Sequence, residues 1–185
     1  MSKVLVPLAE GFEEIEAVVV VDLLRRAGIE VRTAALGRRE VTGSHGITLV
    51  ADIAIDAAGA DHYDMIVLPG GMPGAAHLKS DARVIALLRE FAATGRYTAA
   101  ICAAPAVLAH AGLLTDRAAT SYPGFLEADS APGLRLRDEP VVIDGKVVTS
   151  RGPGTAVPFA LSLIELLEGA PARRAVQERL QLPAA

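Results

Sequence analysis

The stretch Tyr97-Thr98-Ala99-Ala100-Ile101-Cys102-Ala103-Ala104-Pro105 decides how this chain is read. Tyr97–Ile101 has the short apolar character of a buried strand and follows Gly95, a natural stop for the element before it. It runs directly into Cys102 and then into a helical stretch from about Ala104 to Leu113. Pro105 fits an early helical position, where a missing N–H costs little. Ala103 and Ala104 are small enough for a sharp turn. A nucleophile at such a strand–helix elbow stands at the crest of a sheet and faces free N–H groups, which favour a thiolate. The competing reading is a core thiol, because free cysteine is among the most buried residue types.

The same alternation continues outward. Val4–Leu8 reads as a strand, Glu13–Ala27 as a helix ended by Gly28, and Ile29–Leu36 as a second strand. Val41–Ile55, interrupted by Gly43 and Gly46, reads as a small hairpin or irregular excursion. Asp64–Leu68 is a strand leading into Pro69-Gly70-Gly71, and Asp81–Thr94 is a helix capped by Asp81 or Ser80. Val141–Ile143 and Val147–Thr149 flank Asp144-Gly145, a hairpin signal. Ser150-Arg151-Gly152-Pro153-Gly154-Thr155 leads into a helix to Glu168, and Pro171–Leu180 forms a last short one. Strands separated by helical segments predict an α/β fold with a mainly parallel sheet covered on both faces. The 185 residues predict one domain over 1–185, with no internal repeat or linker.

Composition excludes several function classes. The chain carries 22 acidic and 18 basic side chains, a net charge of −4, and no basic stripe, which argues against nucleic acid. The longest apolar run, around Ala99–Ala109, is far short of a bilayer span, and carboxylates begin at Glu10, too early for a signal peptide. A cytoplasmic protein without a membrane partner is expected. A single cysteine rules out an internal disulfide framework, and no Cys or His spacing resembles a metal site.

In an open α/β sheet the ligand site lies at the carboxyl ends of the strands. That rule points to Ala9–Glu16, Pro69–Gly74 and Ile101–Pro105. On a helical wheel of about 100° per residue, Glu14, Val18, Asp22 and Arg25 share the solvent face. Glu16 falls instead in the apolar stripe with Val20, Leu23 and Ala27. First-turn acids complement the helix dipole, which accounts for Glu13 and Glu14. An inward, unpaired Glu16 is costly unless its pKa rises, so it is the expected partner of a nucleophile on another strand. Gly70 and Gly71 bring backbone N–H groups to the crest, suited to an oxyanion hole or to an ordinary turn. His45, in the Gly-rich excursion, is placed to reach a site across a subunit boundary.

Three segments together resemble the DJ-1/PfpI superfamily, in its DJ-1/ThiJ/YajL-like branch. They are Glu13-Glu14-Ile15-Glu16, Val67-Leu68-Pro69-Gly70-Gly71 and Ala99-Ala100-Ile101-Cys102-Ala103-Ala104-Pro105. Arg25-Arg26-Ala27-Gly28 and Thr149–Thr155 extend the likeness over nearly the whole chain. The resemblance implies a flavodoxin-like, class I glutamine amidotransferase-like three-layer sandwich, and a homodimer. It gives Cys102 the nucleophile's role and Glu16 that of its hydrogen-bonding partner, with Gly70, Gly71 and the Ala103 N–H around them. Protease-like members carry a His directly after the cysteine; Ala103 stands there, so peptidase activity is disfavoured. Tyr122 and His45 occupy positions held by His and Arg in the animal proteins, and are accessory candidates.

The implied activity is cofactor-independent conversion of small reactive carbonyls, a glyoxalase III-type reaction on methylglyoxal or glyoxal, or deglycation of a glycated substrate. The alternative is a redox-responsive stress protein or chaperone acting through oxidation of Cys102 to a sulfinic acid. With no second cysteine in the chain, an intramolecular disulfide sensor is not available.

Overall fold

A computed structural model describes residues 1–182. Strand β1 (Lys3–Leu8) leads to helix α1 (Glu14–Arg26) and strand β2 (Glu30–Ala35). The Gly-rich excursion is an antiparallel hairpin of β3 (Glu40–Thr42) and β4 (Thr48–Val50), and β5 (Ile53–Ala54) returns to the main sheet. Next come β6 (Met65–Leu68), helices α2 (Gly74–Ser80) and α3 (Ala82–Ala93), β7 (Tyr97–Ile101) and α4 (Pro105–His110). A small two-stranded sheet of β8 (Ala118–Ala119) and β9 (Arg135–Leu136) precedes the hairpin of β10 (Val141–Asp144) and β11 (Val147–Ser150). Helix α5 (Ala156–Arg179) closes the described chain.

The central sheet has seven strands in the order β10-β11-β7-β6-β1-β2-β5. Every pairing in it is parallel except β10–β11. This is the three-layer α/β sandwich that strand–helix alternation predicts. Strand residues alternate between the two faces because successive side chains point oppositely. Val4, Val6 and Leu8 join Val20, Leu24, Phe159 and Ile164 under α1 and α5. Leu5, Ile66 and Leu68 join Leu78, Leu88, Phe91 and Leu108 under α2, α3 and α4. Each such fully buried Leu, Ile or Phe contributes roughly 1.5–3 kcal/mol. Three aliphatic side chains from the strands on each face thus tie the helical layer over that face to the sheet.

Two boundaries differ from the sequence reading. Helix α2 is unanticipated, because Gly74-Ala75-Ala76-His77 carries no strong apolar period. Helix α4 ends at His110 rather than Leu113; the chain turns there, and Gly112 takes a φ of 84°. The last helix breaks at Gly169 (φ 85°, ψ 169°), where the two expected segments meet at a kink. Asp81 caps α3 as expected, its side chain accepting from the Arg83 N–H.

The sheet order reverses between β1 and β6, since β1 connects outward to β2 whereas β6 connects to β7 on the opposite side. Crevices form at such points. The carboxyl ends of β1, β6 and β7 therefore meet where α1, the Gly70-Gly71 turn and the Cys102 elbow begin.

Candidate active site

Cys102 follows β7 with a φ of 64°, one of three non-glycine residues in the described chain with positive φ. Such a conformation costs on the order of 1–2 kcal/mol and is held only where surrounding bonds over-determine it. Here the Cys102 N–H donates to the Ser150 carbonyl at 2.9 Å, and the Tyr122 N–H donates to the Cys102 carbonyl at 2.9 Å. Both bonds come from outside the β7–α4 unit and fix the elbow. The residue is 9% exposed. Its sulfur is within reach of the Gly71 and Ala103 N–H groups, both of which favour the thiolate.

Glu16 sits in the first turn of α1 and is fully buried. Its Oε2 accepts the Gly70 N–H at 2.7 Å, and its Oε1 has no hydrogen-bond partner of good geometry. The Cys102 thiol faces this carboxyl closely enough to perturb it. Gly70 is what lets the two groups approach. A Cβ there would lie 2.7 Å from the Cys102 Cβ and 2.8 Å from Glu16 Oε2. Gly71, at φ 87°, passes so near α1 that a Cβ would lie 2.3 Å from the Glu13 nitrogen.

The electrostatics of this pair follow from burial. Burial pushes Glu16 up to about 7; the Gly70 N–H and the Cys102 thiol pull it down, and the Glu13 charge adds to the rise. Burial, then the facing Glu16 carboxylate, push the Cys102 thiol up to about 12 against the Gly71 and Ala103 N–H groups. The N–H groups at the start of the following helix favour the thiolate as expected, but burial and the facing carboxylate outweigh them. Helix α4 is six residues long. A helix end contributes about 0.3–1 kcal/mol, less than the cost of a second negative charge beside a buried carboxylate. A proton on Glu16 removes the facing charge that opposes a thiolate on Cys102.

Two further placements depart from the sequence reading. The Gly70 N–H is occupied by Glu16, so only Gly71 and Ala103 of the three expected donors face the sulfur. Glu14, expected on the solvent face, is 4% exposed. Its Oε1 accepts the His45 N–H at 2.7 Å and the Ile47 N–H at 3.3 Å. The β3–β4 turn covers it, a contact between distant segments that a helical wheel cannot register. Burial opposes its ionisation, but its own backbone, the His45 ring and the two hairpin N–H groups prevail and hold it at about 2.

His45 joins this clamp: its Nδ1 lies 3.1 Å from Glu14 Oε2 and 3.5 Å from Glu13 Oε2. Ligand atoms of Glu13, Glu14 and His45 fall within 4.8 Å of one another, but Glu14 is already engaged by the hairpin N–H groups. Tyr122 hangs from Cys102 by its backbone, and its ring is half-exposed against Gly152. Sequence reasoning does not single out Arg151, which lies beside this ring in a groove next to the elbow. The signal available for it was the Gly/Pro-rich loop Ser150–Thr155 at the end of a strand.

Comparison with known proteins places this geometry. The family model described as DJ-1/PfpI family matches residues 2–166. Protein DJ-1 homolog A of Arabidopsis thaliana is 42% identical over 168 residues, 90% of this chain; the chain spans only 43% of that relative's length. A glutathione-independent glyoxalase of Caenorhabditis elegans, DJR-1.2, is 36% identical over 160 residues, 86% of this chain and 85% of the relative. The solved structure described as Toxoplasma gondii DJ-1, oxidized, superposes with a TM-score of 0.92 at 41% identity, covering all of both chains. The family model and the likeness over nearly the full length of this chain agree, and the chain belongs to the DJ-1/PfpI family.

Proposed function

We propose that the chain is a cofactor-independent enzyme that converts small 2-oxoaldehydes to 2-hydroxy acids through Cys102. The observation that carries this reading is the buried Glu16 carboxyl against the Cys102 thiol, beneath the Gly71 and Ala103 N–H groups. A family relative named as a glutathione-independent glyoxalase supports the substrate class.

With methylglyoxal, the thiol proton passes to Glu16 as sulfur bonds to the aldehyde carbon, and the new oxyanion takes a proton from Glu16. The Glu16 carboxylate then removes the C1 proton, giving an enediolate, and returns it to C2, while the C1 hydroxyl proton passes to the C2 oxygen. The aldehyde carbon is oxidised and the ketone carbon reduced, so no external redox partner is needed. Water cleaves the resulting thioester to lactate and the free thiol. A carboxyl at about 7 is matched to both directions of this transfer near neutral pH. Purified protein with methylglyoxal and no glutathione, read by chiral lactate detection, tests the reading. Lactate formation that persists in Cys102→Ser would overturn it.

A second reading is oxidation of Cys102 to a sulfinate in stress signalling. The same two N–H groups that face sulfur would donate to its oxygens, and the related Toxoplasma structure is described as oxidized. We further propose a homodimer. Ile15 and Val18 on α1 are 53% and 43% exposed, and Ile47 and Val50 on the adjoining hairpin are 55% and 65% exposed. Glu14 ties the two segments together, and their exposed apolar side chains are suited to a second copy.

A further inference from the structure

A groove of about 410 Å³ opens beside the Cys102 elbow, between Tyr122 and the Arg151–Gly152 turn. Both walls are attached to the backbone of Cys102 itself. One is Tyr122, whose N–H donates to the Cys102 carbonyl; the other follows Ser150, whose carbonyl accepts the Cys102 N–H. The second wall is rigid. Ser150 Oγ donates to the Pro140 carbonyl at 2.8 Å and lies 2.7 Å from Thr155 Oγ1, which also accepts the Gly152 N–H at 3.0 Å. Its lining includes the apolar surfaces of Pro140, Pro153 and Tyr122 and the carboxylate of Asp138. Arg151 is the cation in this lining, and its side chain is 37% exposed. Its ion-pair partner is Asp138, whose side chain is 88% exposed. An ion pair with so solvated a partner contributes about 0–1 kcal/mol, so a ligand carboxylate can displace it at small cost.

We propose that this groove is a subsite for the carboxylate of a short aldehyde acid, with Arg151 as its anchor, the proline–tyrosine surfaces against the methylene linker and the aldehyde directed to Cys102. A guanidinium suits this role because its planar fork binds carboxylates through paired N–H bonds. The inference rests on Cys102 as the carbonyl-adding thiol. In that step the S–H adds across C=O, forming an S–C bond and a hydroxyl, with no change of electron count.

Two measurements separate the subsite from the chemistry. The first titrates succinate, which has no aldehyde, into isotope-labelled protein and follows the amide signals of Gly152, Gly154 and Thr155. Saturable shifts are expected, weakened about tenfold by Arg151→Met and partly restored in Arg151→Lys. Absence of saturable shifts, or equal binding by a folded Arg151→Met protein, overturns the subsite whatever the enzymology. The second compares protection of Cys102 from iodoacetamide by succinic semialdehyde and by butyraldehyde, which has the same carbon count and no charge. The acid should protect at lower concentration in the unmodified protein, and Arg151→Met should erase that difference while leaving butyraldehyde protection intact. Equal protection by both aldehydes before mutation overturns the subsite. If neither aldehyde protects while succinate binds, the carbonyl-adding thiol fails and the anion subsite stands.

Discussion

Glu16 and Cys102 meet across the missing side chain of Gly70. The carboxyl comes from the first turn of α1 and the thiol from the end of β7, and a Cβ at Gly70 would collide with both. Gly70 also accepts the Glu13 N–H through its carbonyl at 2.9 Å, while its N–H holds Glu16. One residue at the end of β6 therefore sets the start of α1 and the direction of its inward acid.

Replacing either partner should stop turnover for different reasons. Cys102→Ser should reduce lactate formation to background, because a serine hydroxyl is a far weaker nucleophile. Glu16→Gln should leave the thiol in place and lower kcat by about 100-fold or more, the usual worth of a positioned proton-transfer group. Steady-state kinetics on both variants, with circular dichroism to verify folding, checks this.

The Cys102 thiol should titrate late in the unmodified protein and earlier in Glu16→Gln. Burial and then the facing carboxylate raise it to about 12, and the variant removes the second of these causes. Thiolate absorbance against pH reads the change directly. An unchanged titration in the variant would show that the carboxylate is not felt at sulfur.

Glu16 should also make folding stability depend on pH. Its folded pKa of about 7 lies above the ordinary carboxylate value of 4.5, so its contribution is fully present below 4.5 and lost as pH rises through 7. The loss approaches about 3 kcal/mol at most, from roughly 1.4 kcal/mol per pKa unit. Glu16→Gln lacks this ionisation. The stability of the unmodified protein relative to the variant, by urea unfolding, should fall between pH 5 and pH 8.

Glu14 should act with the opposite sign. Held at about 2, it stabilises the fold above 4.5, and that contribution is lost as pH falls through 2. Glu14→Gln should speed hydrogen exchange at the His45 and Ile47 amides at neutral pH, because those N–H groups lose a charged acceptor.

Charge on the exposed α1 face should keep copies apart. Val18→Asp places a carboxylate on the exposed apolar part of α1, and should shift sedimentation toward the monomer while leaving the circular dichroism spectrum unchanged.

Much of this molecule is legible from local pattern. The run from Tyr97 to Pro105 announces a strand, an elbow and a helix, and the wheel position of Glu16 marks an acid turned inward. Those readings succeed because apolar periodicity and turn chemistry act over a few residues. Glu14 was misplaced by the same wheel, since its cover comes from a hairpin more than thirty residues away.

Local pattern alone carries the α/β class, the Cys102 elbow and the inward placement of Glu16. Only the tertiary structure decided which N–H groups remain for sulfur, that Gly70 serves Glu16 instead, and that the two titrations are joined. It also decided that Tyr122 and Ser150 suspend a groove from the Cys102 backbone, with Arg151 in its wall. The physical reason is range. Propensity and periodicity are local, whereas desolvation and charge coupling depend on atoms brought together from β1, β6, β7 and β11.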